Sequence, residues 1–142
     1  MYLQTDKRWS GENLDSTSYK IGRWGCTVTS LNNGRLALKM PHLDPKQCSD
    51  KLSFTNDGLL LWASTKNVGV NMVSYSRYFN KERAEKALKA PDEFCIVELD
   101  GWHWGLLWSL RAGTWIHDPL FGVRPTWPKY KNITKTVVLK KI

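Results

Sequence analysis

The sequence predicts an α+β fold, and three observations carry that prediction. Residues 26 to 66 and 80 to 90 show helical patterning, the chain from residue 94 onward breaks into short runs rich in β-branched and aromatic residues, and no repeat or linker divides the 142 residues. A chain of this length can bury one core without disulfides or metal, so residues 1-142 are expected to form a single domain.

The elements follow in order. CTVTSLNNGRLALKM, from residue 26, reads as a helix with Val28, Leu31 and Leu38 on one side. Asn32-Asn33-Gly34 opposes that reading, because it is by itself a hairpin-turn signature and glycine costs about 1 kcal/mol inside a helix. No convincing strand precedes it, and the helix is retained. DPKQCSDKLSF opens a second helix with Asp44 as cap and Pro45 in the first turn. NDGLLLWASTKN, residues 56 to 67, continues the helical pattern. NKERAEKALKA, residues 80 to 90, has Asn80 as cap and Pro91 as stop. Strands are expected at VGVNMVSY (68 to 75), FCIVEL (94 to 99), HWGLLWSL (103 to 110), TWIHD (114 to 118) and TKTVVLKKI (134 to 142).

Composition excludes several classes. No segment approaches the roughly 20 apolar residues of a membrane span, and MYLQTDKRWS has no basic stretch followed by an apolar run, which predicts cytoplasmic synthesis without a signal peptide. Twenty-one Lys and Arg against 13 acids give +8, concentrated at Lys129, Lys131, Lys135, Lys140 and Lys141. Such a field favours anionic polymers but does not choose among nucleic acid, anionic membrane and bacterial cell wall. Three cysteines without a C-x-x-C pair argue against a disulfide framework or zinc ribbon, and no Cys/His pair shows ligand spacing, so neither metal nor cofactor is expected. There is also no phosphate-cradling glycine loop, G-x-S-x-G or dinucleotide fingerprint.

Of the cysteines, Cys26 has the most reactive setting. It follows two glycines in IGRWGC and opens a helix, where the positive end of the dipole stabilises thiolate and glycine permits close approach of backbone to a substrate. A small buried residue under a turn reads equally well from local sequence. Cys48 and Cys95 read as core filler. A thiol nucleophile needs an imidazole distant in sequence. His42 lies in a loop, whereas His103 begins a strand between Trp102 and Trp104, after the Asp100-Gly101 turn. Adjacent strand residues point to opposite faces, so only one of His117 and Asp118 can meet His103. Asp118, held extended by Pro119, is the better partner. A four-residue loop at 110 to 113 sets Gly105 opposite Asp118 and brings Asp118 and His103 to one face; a three-residue loop separates them unless a bulge intervenes.

Q-T-D-K-R-W at 4 to 9, Y-K-I-G-R-W-G-C-T-V-T-S-L at 19 to 31, H-W-G-L-L at 103 to 107 and H-D-P-L-F-G at 117 to 122 resemble, in this order, the C39-like branch of papain-like cysteine peptidases. The likeness covers nearly the whole chain and is weaker in D-P-K-Q-C-S-D-K-L and G-L-L-L-W. Thr27 and the Asn32-Asn33-Gly34 run depart from the family's small residue after the cysteine and its apolar helix. The resemblance implies a papain-like fold, with an N-terminal helical half carrying the nucleophile packed on a mainly antiparallel sheet. It also implies Cys26 as nucleophile, His103 as general base and acid, Asp118 as the orienting residue and Gln4 as an oxyanion-hole donor. Stand-alone basic members resemble bacterial or bacteriophage enzymes that cut cell-wall peptides, for which Trp24, Trp102 and Trp104, with Trp127, would line a groove. The competing expectation is a catalytically silent module that uses a basic face for nucleic acid or a protein partner.

Overall fold

The computed structural model describes residues 1–142 and has an α+β architecture: one six-stranded antiparallel sheet with helices on both faces. The chain runs through a single-turn helix α1 (Ile21–Trp24), α2 (Cys26–Ala37), α3 (Pro45–Lys51), a 3-10 helix (Trp62–Val68), β1 (Val70–Ser76), α4 (Lys81–Lys89), β2 (Glu93–Leu99), β3 (His103–Ser109), β4 (Trp115–Asp118), β5 (Gly122–Pro125) and β6 (Ile133–Lys141). Strand order is β1-β6-β2-β3-β4-β5. No helix is long and apolar enough to cross a membrane.

Alternation along the strands divides the core into two layers. Phe94 and Ile96 of β2, Trp104 and Leu106 of β3, and Val137 and Leu139 of β6 face α2 and pack with Val28 and Leu31. Cys95, Val97 and Leu99, together with Leu107, Ile116 and Val138, face α4 and enclose Ala84 and Ala87. The expected caps form: Asp44 and Gln47 make a reciprocal capping box on α3, and the Asn80 side chain accepts from the Arg83 backbone N–H.

The Asn32-Asn33-Gly34 run is helical because each residue meets a tertiary partner there. Asn32 donates to Leu43 O and accepts from the buried Arg35. Asn33 brackets the Tyr2 backbone, accepting from its N–H and donating to its carbonyl. A Cβ on Gly34 would lie 2.1 Å from Phe94 Cδ2, so glycine lets α2 press onto β2. These contacts outweigh the local turn preference.

Residues 56 to 67 correct the helical expectation. Asp57-Gly58 makes a reverse turn, Gly58 at φ +76° beneath Tyr19, and Phe54 bridges Leu60 as a short hairpin; only from Trp62 does the chain turn helically, and then as 3-10. Helix α1 and strand β5 are additional elements.

Candidate active site

The Asp100-Gly101 turn connects β2 to β3 with both residues at positive φ, 52° and 80°, and delivers His103 to the first position of β3, opposite Leu99. β4 pairs with β3 through Leu106↔His117 and Leu107↔Ile116, the register of the four-residue loop, and a bulge between Leu107 and Ser109 absorbs the extra residue near the turn. Continued toward the site, that register sets Gly105 opposite Asp118. His103 Nε2 lies 2.8 Å from Asp118 Oδ1, and both side chains are buried. His117 points the other way, toward α2, where its Nδ1 accepts from Asn33 at 3.3 Å.

The Asp118 carboxylate has three donors. Leu120 N donates to Oδ1 at 2.9 Å beside the imidazole, and the Tyr130 hydroxyl donates to Oδ2 at 2.5 Å. Burial would raise this carboxyl, but the bonds from His103, Tyr130 and Leu120 together hold it below the usual carboxylate range. Burial also disfavours the His103 cation, yet the hydrogen bond to Asp118 and the influence of Cys26 push its pKa up to about 9. Nε2 is taken by Asp118, and Cys26 lines the same cleft as the ring and acts on its titration. His117 moves oppositely, lowered by burial and by the N-terminal ammonium.

Cys26 is the first residue of α2, half-buried, after Gly25. No side chain caps this helix start, so its positive end is directed at the thiol. The two preceding glycines serve packing within the protein: a Cβ on Gly22 would lie 2.9 Å from Ser10, and one on Gly25 would lie 2.5 Å from Ile21 O. That differs from the substrate-approach role expected of them. Cys48 and Cys95 are fully buried, and burial pushes both thiols up to about 12.

Gln4 reaches the site because residues 2 to 4 are clasped between the layers. Asn33 holds Tyr2, Gln4 N donates to Pro119 O at 2.8 Å, and Gln4 Nε2 donates to Gly22 O at 3.2 Å. The side chain is buried, and its Oε1 has no partner. An unpaired buried amide oxygen costs roughly 1–3 kcal/mol.

Gln4, Cys26 and His103 line one cleft of about 690 Å³. Trp24, Trp102 and Trp104 line it too; Trp24 and Trp102 are exposed at the rim, while Trp104 is buried edge-on against Trp62. Trp127 is exposed and does not line the cleft, so it leaves the expected groove. The charged residues of the cleft balance, Arg23 and Lys135 against Asp57 and Glu98, with Lys135 Nζ 3.3 Å from Glu98. The net +8 therefore lies elsewhere on the surface.

Sequence reasoning missed Tyr130, Trp62 and Glu98. The hairpin at 54 to 60, read as helix, is one wall of the cleft. No protein-family model, curated protein or solved structure matches this chain.

Proposed function

We propose that the protein is a cysteine hydrolase of papain-like fold and C39-like type that cleaves amide bonds in peptides, with the peptide part of a bacterial cell wall as its substrate. One observation carries the reading: a buried imidazole held by a carboxylate at 2.8 Å lines the same cleft as a thiol at an uncapped helix start.

The chemistry is acyl transfer to water. Below about pH 9 the His103 ring is cationic, and the reactive form sets it beside Cys26 as thiolate. The sulfur attacks the amide carbonyl and forms a C–S bond, and the carbonyl oxygen takes the negative charge. The Cys26 N–H and the second proton of Gln4 Nε2 are the oxyanion donors. His103 gives its proton to the nitrogen as the C–N bond breaks, and the amine leaves. The now neutral ring takes a proton from water, whose oxygen attacks the thioester; the C–S bond breaks, releasing the carboxylic acid and restoring the thiolate–imidazolium pair. Asp118 keeps one ring nitrogen protonated throughout, which fixes the tautomer.

Two measurements test the reading. Brief iodoacetamide treatment near pH 6 labels Cys26 in preference to the buried Cys48 and Cys95. Purified cell wall and a peptide library are cleaved by the wild type and left intact by Cys26→Ala at unchanged thermal stability. Full activity in Cys26→Ala rejects the reading, and equal slow labelling of all three thiols favours the silent basic module instead.

A further inference from the structure

Tyr130 joins the two members of the imidazole–carboxylate pair from outside the strands that carry them. Its hydroxyl bonds Asp118 Oδ2 at 2.5 Å, while its ring stacks on His103 with centroids 5.4 Å apart and planes 26° apart. The side chain is 3% exposed. The loop that supports it is tied to the turn that precedes His103: Asp100 accepts from Lys131 N at 3.0 Å and from Asn132 N at 2.8 Å, and Tyr130 N donates to Thr126 O at 2.7 Å.

We propose that Tyr130 is a positioning residue that locks the Asp118 carboxylate and the His103 ring into one arrangement, its hydroxyl on the first and its ring face on the second. The bonds from His103 and Leu120 both fall on Oδ1 and leave two freedoms. The carboxylate can turn about its Cβ–Cγ bond, and the imidazole can swing about the Nε2···Oδ1 axis, carrying Nδ1 away from sulfur. Tyr130 blocks both, because Oδ2 is pinned by the phenol and the ring swing is obstructed by a stacked aromatic face. Catalytic groups need placement within about 0.5 Å, which makes such a brace consequential. Asp100 extends the device: one exposed carboxylate fixes the loop carrying Tyr130 to the turn carrying His103.

The inference rests on Asp118 as the orienting partner of His103 in the reading above, and its test is kept separate from turnover. The ring protons of His103 are titrated by NMR in the wild type, in Tyr130→Phe, which keeps the stack and removes the hydroxyl, and in Asp100→Gly, which tolerates the positive φ and removes the loop tie. Positioning predicts that His103, near 9 in the wild type, falls by about one pH unit in Tyr130→Phe as the carboxylate turns away. Asp100→Gly shifts it in the same direction, and Asp100→Asn, which keeps an acceptor, restores the wild-type value. A phenol that merely shares the carboxylate's charge gives the opposite sign, since removing it strengthens the bond to imidazolium. An unchanged or higher His103 value in Tyr130→Phe overturns the inference, and if that variant does not fold, an unchanged Asp100→Gly does so. Failure of Cys26 to label at pH 6 with these shifts present sinks the hydrolase reading and leaves the brace standing.

Discussion

Replacing Asp118 with asparagine keeps the shape of the side chain and removes its charge, so it isolates what the carboxylate does for His103. The imidazole stands about 9 against an ordinary value of 6.5, a difference of 2.5 units, equivalent to roughly 3 kcal/mol at about 1.4 kcal/mol per unit. Burial acts against the cation, so without Asp118 the remaining influences are that burial and the Cys26 sulfur. His103 is then expected to titrate well below its wild-type value. The sign of the stability change follows from the direction of the shift. A group raised in the folded state contributes stability that is fully present below its unfolded value and is lost as pH climbs through its folded value. The wild type should therefore exceed Asp118→Asn by up to roughly 3 kcal/mol near pH 6, and this contribution should vanish above about pH 9. With only three histidines in the chain, the ring resonances are assignable by single substitutions, and urea unfolding at pH 6 and pH 9.5 supplies the second readout. A variant His103 still titrating near 9, or a stability difference that widens with pH, would refute the reasoning.

The remaining expectations concern packing and the oxyanion site. Gly34→Ala should gain about 1 kcal/mol of helix propensity and lose about 1–3 kcal/mol to overpacking against Phe94, a net destabilisation visible as a lower urea midpoint at unchanged slope. A midpoint at or above the wild type would mean that α2 does not press on β2 as described. Under the proposed mechanism Gln4→Ala should lower kcat about 100-fold on a substrate the wild type cleaves, as loss of one oxyanion donor does elsewhere. Labelling of Cys26 at pH 6 should be unaffected by it, and a kcat equal to wild type would remove Gln4 from the site.

Much of the fold was legible because the patterns agree with the burial. FCIVEL and HWGLLWSL alternate between two buried faces, and Asn80 and Asp44 cap helices as their positions predict. The His103–Asp118 geometry was legible through parity alone, although the loop it assumed is realised with a bulge near Trp108. What escaped has physical reasons. Leu59, Leu60 and Leu61 mimic a helical run, but Asp57-Gly58 turns the chain before they can use it, and Leu59 ends up 65% exposed on the cleft wall. Tyr130 has no local signal: its partners lie 12 and 27 residues earlier, on two strands, and only the tie between Asp100 and the 131–132 backbone brings it there. Gly22 and Gly25 were noticed for the right place and the wrong neighbour, since the atoms that crowd them belong to Ser10 and Ile21.

The site is divided unevenly between the two layers. Imidazole, carboxylate and phenol all belong to the sheet and its loops, while the sulfur belongs to the helix opposite. If the helix slides along the sheet, the proton-handling trio stays whole and only the gap between sulfur and ring nitrogen changes. That gap therefore works as a gauge of the seam between α2 and strands β2 and β3, where Ser30 Oγ donates to Trp104 O and Phe94 fills the notch left by Gly34. Substitutions along this seam, far from any substrate, would be felt first as lost thiol reactivity and only later as unfolding.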